Sequence, residues 1–253
     1  MSMKLAAVAG LRAALPAILA VATAVIVQRG LIAAEPGASL GDVVAIDVLL
    51  HPDETMLAAA AKANAALRGD YPAGFALDEL HTPHISMVQR FVRSDDLQRV
   101  EQALGRVFAK TDPTTLELEA IGYYSLPVGD LGLAGIVVRP TPDLRKLQEE
   151  IIAVVEPFAV EGTGAAFAPS PDGAAIAPSI VAYVNGYVPK RSGKNFNPHV
   201  TVGLGTEPFV ARMIAAPFAR FQFKLTGASV YHLGNYGTAA VKLWSPPERG
   251  NVE

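Results

Sequence analysis

The chain predicts an α+β fold with a weak twofold internal symmetry. Three observations carry that reading. Strand-like and helix-like segments follow one another without a fixed repeat length, and strands cluster in the middle and at the end of the chain. A short motif occurs twice, as Thr82-Pro83-His84-Ile85-Ser86-Met87 and as Asn197-Pro198-His199-Val200-Thr201-Val202, with its histidines 115 residues apart. Each copy falls in a segment that reads as a strand and precedes one that reads as a helix.

Met1 to Lys4 carries a positive start, and Ala13 to Val27 is an uncharged run of 15 residues. That run is short for a membrane span, which needs about 20 apolar residues, and suits the apolar region of an export signal. Small-x-small sites follow at Ala20-Val21-Ala22 and Ala22-Thr23-Ala24. The reading is an export signal or N-terminal anchor over 1–34, a linker over 35–40 and one folded domain over 41–253. The domain is then periplasmic or secreted after cleavage, or tethered outside the cytoplasm through residues 5–27 if the segment is kept. A cytosolic domain with an apolar first helix is the plainer alternative.

Asp42 to Leu50 reads as a buried strand and Met56 to Leu67 as a helix with Asp53 as its N-cap. Leu80 to Val92 holds the first motif and reads as a strand. Ser94-Asp95-Asp96 opens a second helix, with Leu97, Val100, Leu104 and Val107 at helical spacing. Thr114 to Tyr124 and Leu133 to Arg139 read as strands, and Pro142-Asp143 opens a helix to about Val155. Residues 160–180 read as a long connection rich in Gly, Ala, Pro and Ser. Residues 180–188 fit strand or helix equally well. A basic loop, Pro189 to Phe196, leads into the second motif strand. Thr206 to Ala215 reads as a short helix, and Phe221 to His232 and Ala239 to Trp244 as strands joined at Gly234-Asn235-Tyr236-Gly237.

Composition narrows the function. Of 253 residues, 51% are hydrophobic and 18% charged, a globular balance. Residues 1–34 hold Lys4, Arg12 and Arg29 and no acid, so the remainder carries 18 basic and 24 acidic residues, a net charge of −6. Such a surface disfavours long nucleic acid and leaves room for a nucleotide or a short RNA end. With no cysteine there is no disulfide, thiolate metal site or cysteine nucleophile.

Side chains alternate along a strand, so each motif histidine shares a face with the hydroxyl two residues on, while Ile85 and Val200 point to a core. Two such strands brought together place two imidazoles and two hydroxyls around one pocket. One neutral imidazole can take a proton as the other, protonated, gives one, and imidazole reaches both states near neutrality. Ser86 and Thr201 can donate hydrogen bonds to phosphate oxygens. The plain alternative makes His84 and His199 ordinary core histidines. His81 and His84 form an H-x2-H pair, but residues three apart on a strand face opposite ways, so no metal or other cofactor is expected. Lys190, Arg191 and Lys194 can attract a phosphate, and Phe196, Tyr124 and Tyr231 can stack on a base. Gly193 and Gly203 are expected to serve backbone geometry.

The paired motifs resemble those of the 2H phosphoesterase superfamily, which includes bacterial 2′-5′ RNA ligase-like proteins and cyclic phosphodiesterases. His84-Ile85-Ser86-Met87 and His199-Val200-Thr201-Val202 carry the resemblance, with Ser86 standing where Thr is common. It extends over roughly Gly41 to Pro247, and the stretch from Val230 to Trp244 resembles the closing hairpin of family members. The resemblance implies two pseudo-symmetric lobes of antiparallel sheet with outer helices around a central cleft. It implies His84 and His199 as catalytic residues and Ser86 and Thr201 as phosphate ligands, while Lys194, Phe196 and Tyr231 are possible cleft residues by their own charge or stacking capacity. The implied chemistry is metal-independent and acts on 2′,3′-cyclic phosphates or 2′,5′-linked nucleotides, in the hydrolytic or the ligating direction. A monomer is expected. The alternative on the same fold is a non-catalytic module that binds nucleotide or phosphate.

Overall fold

The computed structural model describes residues 42–170 and 173–247, so the expected signal or anchor and the linker lie outside the described residues. Among the described residues no helix is long and apolar enough to cross a membrane. The elements in chain order are β1 (Val43–Pro52), α1 (Glu54–Asp70), β2 (Ile85–Arg93), α2 (Leu97–Lys110), β3 (Glu117–Val128), β4 (Leu131–Val138), α3 (Pro142–Val155), β5 (Ala159–Val160), α4 (Pro178–Asn185), α5 (Tyr187–Arg191), β6 (His199–Thr206), α6 (Glu207–Ala215), β7 (Phe221–Leu233) and β8 (Ala239–Trp244).

The strands form one antiparallel sheet in the order β5-β2-β1-β7-β3-β4-β6, with β8 added on β7. The two expected lobes are two arms of this sheet, joined by β7. Phe221–Lys224 of β7 pairs with β3, whereas Leu225–His232 pairs with β1 and Val230–Leu233 with β8. Each arm carries one motif strand, β2 in the first and β6 in the second.

The main core lies between one face of the sheet and the outer helices. Ile46 and Val48 of β1, Val230 of β7, Ile136 of β4 and Val200 of β6 meet Leu67 of α1, Leu104 of α2, Leu147 of α3 and Val210 of α6. Helix α1 starts where expected: the Asp53 side chain accepts hydrogen bonds from the Thr55 and Met56 amides, two donors that would otherwise lack partners in the first turn. Asp53 also accepts from the Lys224 amide at 2.9 Å, which ties the start of α1 to β7.

On the other face of the first arm, Ala45, Phe91 and Leu233 pack under Ala166 and Phe167 of the long connection and Val184 of α4. The Ala168 amide donates to the Leu233 carbonyl at 2.8 Å, and His232 Nε2 donates to the Ala166 carbonyl at 2.9 Å. The connection is therefore a strap pinned across the sheet. Residues 180–188, which fitted strand or helix, belong to two helices, α4 and α5, separated by a turn at Gly186. Pro178 occupies the first turn of α4, where a missing amide proton costs nothing. The first motif strand starts later than expected. Residues 77–84 are turn and coil, and pairing begins at Ile85 opposite Leu50.

Candidate active site

His84 is the last residue before β2, and His199 is the first residue of β6. The same device fixes both rings. His84 Nδ1 donates to the Thr82 carbonyl and His199 Nδ1 to the Asn197 carbonyl, each at 2.7 Å and each across one proline. A carbonyl only accepts, so Nδ1 carries the proton in both rings and Nε2 is left for the chemistry. Pro83 and Pro198 disfavour helical backbone at Thr82 and Asn197, which turns those carbonyls back toward the rings.

The strands are also alike beyond the histidine. Ser86 pairs with Leu49 and Val88 with Val48, so Met87 is bulged out of the ladder; Thr201 pairs with Gly135 and Gly203 with Ala134, so Val202 is bulged out. In each motif the bulge follows the hydroxyl residue directly. Bulged strands bend, and they commonly sit beside functional sites. Gly203 takes φ 144°, and a Cβ there would meet Asn64 Nδ2 at 2.8 Å, the group that donates to the Val202 carbonyl at the bulge. Gly193 takes φ 56° in the turn before the strand, so both glycines serve the backbone as expected.

His84, Ser86, His199 and Thr201 line one cavity of about 220 Å³. Gln89, Tyr124, Leu126, Leu133, Ile180, Tyr183 and Tyr187 complete most of its wall, and no Lys, Arg, Asp or Glu is among the lining residues. The ring of Tyr124 stands edge-on to His199 at 4.5 Å between centroids. It can do so because Gly135 of β4 has no side chain: a Cβ there would fall 2.5 Å from Tyr124 Cε1. Burial pushes the His199 imidazole down to about 4, and the charges of His84 and Arg191 add to the effect against the opposing pull of the Asn197 carbonyl. His199 keeps an opening to the cavity but is otherwise packed around by protein, so at neutral pH its ring is uncharged.

Behind the first motif lies a residue that the sequence reading left unmarked. Asp47 of β1 is fully buried, and its Oδ2 accepts from Ser86 Oγ at 2.5 Å and from Gln89 Nε2 at 2.8 Å. The same oxygen lies 3.7 Å from His84 Nε2. Burial raises the Asp47 carboxyl to about 6, with His84, Ser86 and Gln89 pulling it back down. Ser86 thus directs its hydroxyl hydrogen bond to Asp47, whereas the expectation has it donating to phosphate. Thr201 has no such partner among the described residues and keeps its hydroxyl for the cavity.

Three other expected cleft residues do not line the cavity. Phe196 is buried in the main core, where its ring packs as an ordinary apolar anchor. Lys194 is exposed on a one-turn 3₁₀ segment, 193–195, outside the wall. Tyr231 faces His51, with ring centroids 6.1 Å apart, and Lys242 Nζ lies 5.9 Å from its ring. Tyr124, also considered for stacking, is in the wall. His81 turns away from His84, with Nδ1 3.0 Å from Asp78 and its ring stacked on Phe75 at 4.6 Å. Among the described residues no cluster of His, Asp or Glu could hold a metal ion. Tyr183 and Tyr187 were missed because residues 180–188 could not be assigned to strand or helix.

A sequence model of the 2′-5′ RNA ligase superfamily matches residues 56–236. The chain belongs to that superfamily. Solved structures similar to this chain include TT0787 of Thermus thermophilus, at 15% identity with a TM-score of 0.50, covering 79% of this chain and 95% of the other. The MHV ns2 PDE domain is 13% identical with a TM-score of 0.36, covering 79% and 99%. Kluyveromyces marxianus Usb1 solved with uridine monophosphate is 11% identical with a TM-score of 0.35, covering 80% and 99%. No curated protein sequence matches the chain. Membership in the 2′-5′ RNA ligase superfamily makes the chain a 2H phosphoesterase, as the paired motifs indicated, and the α+β antiparallel fold agrees with it.

Proposed function

We propose that this chain is a metal-independent phosphodiesterase that opens 2′,3′-cyclic phosphates or cleaves 2′,5′-linked nucleotides, with His199 as general base and His84 as general acid. The observation that carries the reading is the pair of imidazoles with Nδ1 fixed by a carbonyl, both lining one small cavity. Water attacks phosphorus while His199 Nε2 takes its proton. The bond from phosphorus to the leaving ribose oxygen breaks, and His84 Nε2 gives that oxygen a proton. The neutral His199 ring suits the base, and His84, with a carboxylate 3.7 Å away, suits the acid. Thr201 donates to a non-bridging oxygen as charge builds there. Tyr124, Tyr183, Leu126 and Ile180 offer an apolar, aromatic wall that suits a nucleobase. A cavity without lining lysine or arginine favours the single negative charge of a diester over the greater charge of a monoester product.

The test is turnover of 2′,3′-cyclic nucleotides and 2′,5′-linked dinucleotides with EDTA present. Activity should persist, and His84→Ala or His199→Ala should each lower kcat by roughly 10²–10⁴. Unchanged turnover in either variant would end the two-histidine mechanism. Tight binding of a nucleoside monophosphate without turnover of any such substrate would make the chain a binding module. The positive start and apolar run within residues 1–34, which fit an export signal or an N-terminal anchor, support placing this activity outside the cytoplasm, which cell fractionation tests.

A further inference from the structure

We propose that Asp47 is the positioning residue of the first histidine motif, a buried anion that acts through His84 and Ser86 without touching substrate. The inference rests on the phosphodiesterase reading above and adds a residue to it. Asp47 lies upstream of the stretch 56–236 that matches the superfamily.

This carboxylate is costly to keep. Asp47 has no exposed surface, and among the described residues its Oδ1 has no hydrogen-bond partner. A buried charge with one oxygen unsatisfied is unfavourable. Asparagine could accept the same two hydrogen bonds from Ser86 and Gln89 through one oxygen and carry no charge. A pin between β1 and β2 therefore does not need an acid. What an acid adds is a charge facing whatever can become positive beside it.

Among the described residues the surroundings leave one candidate. Gln89 of β2 and Tyr231 of β7 lie opposite Asp47 in the ladders on its two sides. Tyr183 of α4 and Tyr187 of α5 feel its charge, and burial raises both phenols, so they are neutral in the working range. His84 is the group close to Asp47 that can carry a positive charge, and its proton is the one the mechanism delivers. The carboxylate thus compensates the acid form of His84. Its hold on the Ser86 proton also leaves that hydroxyl presenting lone pairs to the cavity. An acceptor there can take a hydrogen bond from a ribose hydroxyl, whereas a phosphate oxygen would be turned toward Thr201.

The experiment compares Asp47→Asn with wild type in the full chain. At pH 7.5, kcat on a 2′,3′-cyclic nucleotide should fall about 10- to 100-fold, with KM changing less than about threefold. Wild-type kcat should decline as pH falls through about 6, where Asp47 takes a proton, and that limb should be absent in the variant. A second arm needs neither substrate nor a stable Asp47→Asn variant. The carbon-13 carboxyl titration of Asp47 in His84→Ala should move above its wild-type midpoint, because the charge that holds it down is gone. Wild-type kcat and pH profile in Asp47→Asn, or an unmoved Asp47 midpoint in His84→Ala, would reduce Asp47 to a strand pin and overturn the proposal. If wild type turns over no cyclic or 2′,5′-linked substrate, the functional reading fails, and the carboxyl titration alone decides whether Asp47 and His84 are coupled.

Discussion

His84 and His199 are held by the same backbone device, yet they sit in opposite electrostatic settings. Each ring is tied to the carbonyl two residues upstream, and each motif bulges after its hydroxyl. Behind His84, however, lies a buried acid that accepts a hydrogen bond from Ser86, whereas beside His199 stands the edge of Tyr124 and, among the described residues, no acid lines the cavity there. The backbone symmetry supplies two imidazoles in matched orientation, and the side chains behind them make the two unequal. Acid-base catalysis needs that inequality, because two identical imidazoles would compete for one protonation state.

The steepest test of the comparison is to remove each ring in turn. His84→Ala and His199→Ala should both lose roughly 10²–10⁴ in kcat, but their residual pH profiles should differ. Identical residual profiles would mean that the two rings are equivalent. Next in size are the hydroxyls. Thr201→Val should cost on the order of 10²-fold in kcat, the loss expected for a donor to a developing oxyanion, while Ser86→Ala should cost about tenfold or less. Equal losses would show that Ser86 does donate to phosphate.

Asp47→Asn should trade activity for stability. Its carboxyl titrates near 6 in the folded chain and near 3.8 when unfolded. Below the unfolded value both states are protonated and the burial of charge costs nothing. As pH rises through 3.8 the unfolded chain ionises first and gains on the folded one, until above about 6 the folded chain holds an ionised buried group. The variant should therefore be more stable by about 1–3 kcal/mol at pH 8 in urea denaturation, with the difference closing below about pH 4. The smallest effect is expected at Gly135→Ala. Its methyl would press Tyr124 toward His199, lowering kcat about fivefold and perturbing the His199 ring resonances while leaving those of His84 in place.

Much of this was legible in the residues. The paired Pro-His motifs located both rings, Asp53 announced α1, and β8 ran from Ala239 to Trp244 as read. The prolines are visible as a shared feature of the two motifs, but their effect on the Thr82 and Asn197 carbonyls shows only in the fold. Asp47 was hidden because β1 is buried on both faces. In Val43-Val44-Ala45-Ile46-Asp47-Val48-Leu49-Leu50 no alternation of polar and apolar residues marks which way the acid points. A lone acid in the middle of such a run was the available signal, since an unpaired carboxylate rarely stays in a core. Phe196 misled for the converse reason: an aromatic beside a motif looks like a base platform, and only packing reveals it as core. Residues 180–188 carry both β-branched side chains and a helical start, and the tertiary contacts with β2 decide for helix.

The shared strand β7 has a consequence for how the chain reaches this state. Ile46 pairs with His232, so the first strand of the domain closes on nearly the last. Until residues 225–232 have been synthesised, β1 lacks one of its two neighbours and the sheet is not continuous between its two arms. Contacts of such long sequence separation slow folding and delay closure of the sheet until β7 has been made. The nascent chain should hold an incomplete sheet, with both histidine motifs made, until β7 emerges.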